Sequence, residues 1–245
     1  MLLRRIRKWK HIFKLDPNRK LSDLALEYLC NSDTDAIVVG GTDGVTYENT
    51  SSLLNRVKKY RKFCVQEISN IDAIVPGFDG YLIPTVLNTE EPKWFLGAHV
   101  EALKKYGDFV PWNQVLLEAY VSLNPEAKVS RLTKAMTNLD KTDLIAYLRL
   151  ADRLFRFPIF YVEYSGVYGD VEKVKAIAKE ISSARLFYGG GLVHAEQVKE
   201  MARWADTIVV GNLIYTNVER AVQTVAWVKE TKRKKRRYKG GRSRF

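Results

Sequence analysis

Cysteine, histidine and long apolar runs are all scarce in this chain, and each scarcity removes a class of function. Cys30 and Cys64 are the only cysteines and form no metal-type pair. They therefore read as buried, inert thiols of a reducing compartment. His11, His99 and His194 sit in unrelated contexts without zinc spacing. No window approaches the roughly 18 uninterrupted apolar residues of a membrane-crossing helix. Residues 1–15 lack the apolar core of a signal peptide. GxSxG, Walker A, HExxH and a strand-first GxGxxG do not occur. A soluble, cytoplasmic protein is the expectation.

What is present supports a globular core: 245 residues, of which 46% are hydrophobic and 11% aromatic. The formal charge of +12 is concentrated at the ends, since residues 1–10 carry +5 and residues 229–245 carry +9. Residues 11–228 are left at −2, which is unlike a nucleic-acid-binding core, so no nucleic-acid partner is expected. The chain reads as a single domain over 1–230 followed by a basic, disordered tail over 231–245, centred on Lys232-Arg233-Lys234-Lys235-Arg236-Arg237. That tail is compatible with a solvated terminus, with peripheral attraction to anionic lipid, or with nucleic-acid contact.

Short apolar runs alternate with longer amphipathic stretches from Ile12 onward. Strands are predicted over 11–15, 35–40, 63–68, 81–86, 118–123, 158–164, 184–189 and 207–211. Several are apolar on successive residues, as in parallel strands covered on both faces. Helices are predicted over 21–30, 48–60, 92–106, 140–155, 170–181, 194–204 and 216–230. Val171, Val174, Ile177, Ala178 and Ile181 make one apolar stripe at helical spacing, with Asp170 as N-cap. The connection 69–80 holds Pro76-Gly77 and is too short for a full crossover helix. Eight strands with helical crossovers favour a closed (β/α)8 barrel, of α/β class, over a doubly wound open sheet.

In such a barrel the residues that follow each strand share one functional rim. Here they include Lys14, Asp16, Gly40-Gly41-Thr42-Asp43-Gly44, Glu67, Asn88, Glu163, Ser165, Gly166, Gly189-Gly190-Gly191 and Gly211-Asn212. The last three strands each run into a glycine-containing turn. Glycine lets backbone N–H groups approach an anion, so a phosphate site is expected there. Tight strand-to-helix turns would need glycine too. Asp16 and Thr42 offer hard oxygens suited to Mg²⁺, although Asp16 before Pro17 also suits a turn. Lys14 would suit a second anion or a salt bridge. Glu163 is the only acid in PIFYVEYSG and could take or hold a hydroxyl proton, or be a paired core residue.

The strings WKHIFKLDP, VVGGTDGVT, IVPGFDGYLIPTVLN, FYVEYSGVYGD, LFYGGG and IVVGN closely resemble the PcrB family. These are bacterial heptaprenylglyceryl phosphate synthases, relatives of archaeal geranylgeranylglyceryl phosphate synthase. The resemblance spans roughly 8–229 and leaves out the basic tail. It implies a modified TIM barrel, a homodimer, in which irregular structure replaces the helix after strand 3. It also implies Mg²⁺-dependent transfer of a long polyprenyl group, heptaprenyl above others, from its diphosphate to the primary hydroxyl of sn-glycerol 1-phosphate. On the family pattern Lys14, Glu163 and Tyr164 are catalytic. Lys14, Tyr161, Val162, Glu163, Tyr164, Ser165, Gly166, Gly191, Gly211 and Asn212 bind glycerol phosphate. Asp16 and Thr42 bind Mg²⁺, and the small Ala102 leaves room for a long prenyl chain. From the residues alone two rival functions remain. One is a sugar-phosphate isomerase or lyase on the same phosphate loops. The other is a non-catalytic adaptor recruited to membrane or nucleic acid by its tail.

Overall fold

The computed structural model describes residues 2–234. Eight parallel strands close into a barrel in sequence order. They are β1 (His11–Leu15), β2 (Ala36–Val39), β3 (Cys64–Glu67), β4 (Gly80–Val86), β5 (Val115–Ser122), β6 (Ile159–Glu163), β7 (Arg185–Gly189) and β8 (Thr207–Val210). Each pairs with the next, and β8 pairs with β1 through His11↔Ile208 and Phe13↔Val210. The closed barrel replaces the open-sheet alternative. Strand β5 begins three residues before its predicted start, because Val115 and Leu116 continue the pairing with Tyr81 and Leu82.

Strand alternation divides the buried side chains into two populations. Ile12, Val38, Val65, Leu82, Tyr120, Ile159, Tyr161, Phe187 and Val209 fill the barrel interior. Phe13, Ile37, Val39, Ala119, Val121, Phe160, Val162, Leu186, Tyr188 and Ile208 pack outward against the helices. Those helices include α2 (Asp23–Asn31), α3 (Tyr47–Lys58), α6 (Lys141–Arg149), α7 (Val171–Glu180), α8 (Ala195–Ala202) and α10 (Val218–Glu230). The predicted stripe on α7 is buried at Val174, Ile177 and Ala178, and Asp170 caps the helix by accepting from the backbone N–H of Glu172 and Lys173.

Three helices were not legible from periodicity: α1 (Leu2–Ile6), α5 (Lys128–Thr133) and α9 (Leu213–Thr216). Helix α1 plugs the barrel at the end where the strands begin, with Leu2, Ile6 and Trp9 buried in the interior cluster. A Cβ on Gly80 would lie 2.7 Å from Leu2, so glycine makes room for the plug. Its signal, apolar residues at i, i+4 and i+7, was obscured by the interleaved arginines. The segment 69–80 is irregular as expected, with one 3-10 turn at Ile71–Ala73.

Among the predicted tail residues, Arg233 pairs with Asp206, and the backbone N–H of Lys234 donates to the Arg203 carbonyl at 2.9 Å. The rest of the predicted tail, 235–245, lies outside the described residues.

One buried histidine fastens α10 to the sheet. His11 Nδ1 lies 2.9 Å from Thr34 Oγ1 and Nε2 lies 2.9 Å from Thr224 Oγ1. Burial, reinforced by the charge of Lys229, pushes its pKa down to about 3. The unfolded chain, with an ordinary histidine pKa near 6.5, therefore binds the proton more readily than the fold does. The stability this supplies is complete above about pH 6.5 and is lost as pH falls toward 3. At full effect the loss is about 1.4 kcal/mol per pH unit, or roughly 2 kcal/mol by pH 5. Denaturant melts at pH 7 and pH 5 are expected to show this loss in the native sequence and a flatter response in His11→Gln. Equal pH slopes in the two proteins would refute it.

Candidate active site

Period-two alternation brings Lys14 of β1, Glu67 of β3, Glu118 and Tyr120 of β5, and Tyr161 and Glu163 of β6 into one polar cluster. Lys14 Nζ donates to Glu67 Oε1 at 2.5 Å. It also stands 5.8 Å from the ring centroid of Tyr120 and 5.7 Å from that of Tyr161. The Lys14 side chain is only 19% exposed. Burial alone would favour loss of its proton, but Glu67, Glu163 and Glu118 outweigh it and hold the pKa above the usual lysine value. Lys14 is therefore a fixed cation.

Glu118 is fully enclosed, and its Oε2 has no hydrogen-bond partner among the described residues. Burial, and then repulsion from Glu67, push its carboxyl far above the ordinary range against the pull of Lys14. The shift favours the protonated form and so relieves the crowding of carboxylates about one lysine.

Glu163 is held from two sides. Tyr161 donates its hydroxyl to Oε2 at 2.7 Å, and the Ser165 backbone N–H donates to Oε1 at 2.5 Å. A side chain at residue 189 would intrude here: a Cβ on Gly189 would lie 2.5 Å from Glu163 Oε2. After β6 the backbone turns left-handed, at Ser165 with φ 36° and at Gly166 with φ 88°. That conformation favours glycine at 166 and makes 165 a strained position for serine.

The turns after the last three strands are in mutual contact. Gly191 donates its N–H to the Val167 carbonyl at 2.7 Å. A Cβ on Gly191 would come within 2.6 Å of the Gly166 carbonyl oxygen, and one on Gly166 within 3.0 Å of Asn212 Nδ2. Gly211 lies beside the Lys14 carbonyl, 3.6 Å from its Cβ position. The strand ends carrying Lys14, Glu163, Gly191 and Asn212 thus converge on one small region of the rim.

Asp16 leaves β1 over the backbone of the β2 loop, where a Cβ on Gly41 would lie 2.5 Å from Asp16 Oδ1. That oxygen also accepts from the Asn18 N–H at 2.9 Å. Thr42 is the next residue and is half-buried. Among the described residues no group of three or more His, Cys, Asp or Glu side chains could hold a metal ion. A carboxylate and a hydroxyl in adjacent loops nevertheless match the donor chemistry of Mg²⁺, which retains waters and takes further oxygens from phosphates. Beside them Arg19 stacks 3.7 Å over the Tyr215 ring and donates to Asn212 Oδ1 at 3.0 Å.

The side chains of Val162, Tyr164 and Ala102 do not join the cluster. Tyr164 and Val162 have the opposite parity to Glu163 and pack in the outer layer, Tyr164 against Tyr188 with centroids 6.2 Å apart. Burial raises the Tyr164 hydroxyl to about 12. Neither side chain reaches the Lys14 cluster, and both lie in the outer layer behind it. Ala102 lies elsewhere, on α4 (Ala98–Tyr106), a helix with no buried residue. His99 of this helix reaches Thr85 on the outer face of β4 at 3.0 Å. Leu96, Val100 and Leu103 around it and Leu117 on the outer face of β5 are exposed. These exposed apolar side chains lie on α4, the turn before it and the outer face of β5. Sequence reading missed Glu118, Tyr120 and Arg19. The first two were signalled by Glu118, Tyr120 and Ser122 sharing one strand face, whereas Arg19 gave no signal.

The PcrB family matches residues 4–229. The heptaprenylglyceryl phosphate synthase of Bacillus cereus strain B4264 is 54% identical over 221 residues, covering 90% of this chain and 96% of that protein. The enzyme of the same name from Bacillus cytotoxicus is 53% identical, covering 91% of this chain and 98% of its own. Among solved structures, the (S)-3-O-geranylgeranylglyceryl phosphate synthase of Thermoplasma acidophilum, in complex with its substrate sn-glycerol-1-phosphate, superposes with a TM-score of 0.77. It is 22% identical, covers 91% of this chain and 96% of that one, and so bears on the fold alone. Tryptophan synthase of Mycobacterium tuberculosis shares the architecture more distantly, at a TM-score of 0.55 and 15% identity over 95% of this chain and 96% of that one. With a family match over nearly the whole barrel and relatives above half identity, this chain belongs to the PcrB family.

Proposed function

We propose that this chain is an Mg²⁺-dependent prenyltransferase that joins a long polyprenyl diphosphate, heptaprenyl in the first instance, to the primary hydroxyl of sn-glycerol 1-phosphate. The products are an ether-linked prenylglyceryl phosphate and diphosphate. The observation that carries the reading is the convergence of the glycine turns after β6, β7 and β8 beside Glu163 and Lys14. Such a region supplies backbone and amide donors for a phosphate dianion within reach of a carboxylate. A homodimer belongs to the same proposal, on the strength of the family resemblance.

In this mechanism the glycerol phosphate lies against Gly166, Gly191, Gly211 and Asn212, with Lys14 adding a fixed positive charge. Glu163, held by Tyr161 and the Ser165 amide, accepts the proton of the primary hydroxyl. The hydroxyl oxygen bonds to C1 of the prenyl chain as the bond from C1 to diphosphate breaks, and diphosphate departs with that electron pair. Asp16 and Thr42 would hold Mg²⁺, which when bound supplies positive charge to the diphosphate. Arg19 adds a cation on the same side of the rim. The apolar wall of Leu96, Val100, Leu103 and Leu117 would cover the prenyl chain, each CH₂ removed from water contributing roughly 0.8 kcal/mol. Ala102 on that wall would not obstruct a long chain.

The test is incubation with Mg²⁺, sn-glycerol 1-phosphate and radiolabelled C20, C30, C35 or C40 diphosphates. An ether product dependent on both substrates is expected, fastest with C35. Failure to form ether with every donor would reject the reading, and a faster C20 or C30 reaction would reject the chain-length part alone.

A further inference from the structure

We propose that the closed end of the barrel, opposite the catalytic rim, is a docking face for an anionic lipid surface. All eight parallel strands begin at this end. The plug helix α1, the turns that enter each strand and the chain leaving α10 therefore meet there. The last of these is fixed by the Arg233–Asp206 ion pair, since Asp206 immediately precedes β8.

Two independent observations point to lipid. The first is charge. Leu2, Ile6 and Trp9 of the plug segment are buried, so the residues between and after them face water: Arg4, Arg5, Arg7, Lys8 and Lys10 are all exposed. Several acids of the same end are turned inward onto backbone amides. Asp35 accepts from Lys10 and His11, and Asp79 accepts from Cys64. Asp152 accepts from Ser182, Ser183 and Ala184, and Asp206 accepts from Leu186. Asp35, Asp152 and Asp206 are thus bound to strand starts, whereas Asp33, Asp79 and Glu230 are exposed at this end beside the larger number of projecting cations. The chain that leaves α10 adds further lysines and arginines in sequence.

The second observation is apolar. Trp112, on the turn into β5, is 64% exposed, and Leu154, on the turn into β6, is 72% exposed. Trp112 is two residues from Gln114, whose carbonyl flanks Gly80 together with Leu2 of the plug. Leu154 and the exposed Phe155 lie between Arg153 and Arg156, both also exposed. Exposed Trp, Phe and Leu interleaved with arginine match the interface of a bilayer, where rings and chains enter the acyl boundary and cations meet lipid phosphates. A nucleic acid would use the cations but leave Leu154 in water. In this orientation the rim faces solution, where water-soluble substrate is met.

The test uses the full chain with phosphatidylglycerol–phosphatidylcholine vesicles and with phosphatidylcholine vesicles alone. Co-sedimentation is expected only with the former and should weaken as salt rises. The triple change Arg4→Gln, Arg7→Gln and Lys8→Gln should lower partitioning on the order of 100-fold, at about 1 kcal/mol per cation. Trp112→Ala should lower it about tenfold. Melting temperatures confirm that each variant is folded. As a readout of orientation, a polarity-sensitive dye on Trp112→Cys should shift to the blue with anionic vesicles, while the same dye on Glu126→Cys at the rim should not. Equal partitioning of native and triple-variant proteins, or a shift at both dye positions, would overturn the proposal. So would retention by an oligonucleotide without retention by vesicles, or loss of dimers in Trp112→Ala with lipid binding intact.

Discussion

Glu163→Gln is expected to lower kcat for ether formation by about 10²- to 10⁴-fold, the range associated with a positioned general base. Glycerol phosphate affinity should change little, because the proposed phosphate site lies in the glycine turns and not at the carboxylate. The substitution nearly preserves volume. It keeps an oxygen acceptor for either Tyr161 or the Ser165 amide, which now donate at 2.7 and 2.5 Å. What is lost is the capacity to take a proton. Steady-state kinetics with a separate measurement of glycerol phosphate binding by calorimetry would distinguish the outcomes. A variant with native kcat removes Glu163 from the role of base. A variant that loses binding and kcat together makes it a substrate-orienting group.

Lys14→Met carries the second large effect, and two consequences should separate. The first is structural. Lys14 Nζ is 2.5 Å from Glu67 Oε1, and neither side chain is more than 19% exposed. Removing one partner of a buried pair leaves the other as an uncompensated charge, which costs about 3–5 kcal/mol. The second is functional: a charge-assisted contact to phosphate is worth about 1.5–3 kcal/mol, so affinity for glycerol phosphate should fall about 10- to 150-fold. Adding Glu67→Gln should restore most of the stability, because the stranded carboxylate is gone, and none of the affinity. Denaturant melts and binding isotherms on the two single variants and the double variant close the cycle. Recovery of binding in the double variant would mean that Lys14 serves the fold only.

The raised pKa of Glu118 follows from burial more than from any single contact. Glu67, Glu118 and Glu163 share one lysine. In a dry interior three full negative charges against one positive would be strongly unfavourable, and Glu118 relieves this by retaining its proton. A neutral Glu118 leaves fewer carboxylates competing for Lys14, whose charge is already shared with Glu67. Its orphaned Oε2 is a cost carried by the fold at the place where the proposed chemistry occurs.

Relatives above half identity show the family, and the match to an archaeal structure shows the barrel fold. The two ends carry opposite kinds of feature: inward polar side chains and glycine turns at one, outward cations and exposed apolar side chains at the other.

The order of strands and helices was legible in the sequence because each element declares itself locally. Apolar runs such as AIVV in β2 and TIVV in β8 are short, β-branched and bounded by polar turns, as buried strands are, and the stripe on α7 marks the face that packs inward. The Gly189-Gly190-Gly191 and Gly211-Asn212 turns, and the short 69–80 connection, were legible for the same reason. Which side of a strand a residue faces was decided by the barrel, because parity is fixed by closure and not by residue type. Tyr164 looked like a neighbour of Glu163 in sequence and lies on the other side of the wall. Glu118, from a different strand, shares its interior. Helix α1 was decided in the same way. Five residues have no stable helix of their own, and Leu2 and Ile6 become helical because an open barrel end needs an apolar plug. Local pattern determines the elements, and only long-range closure determines which side chains share a pocket.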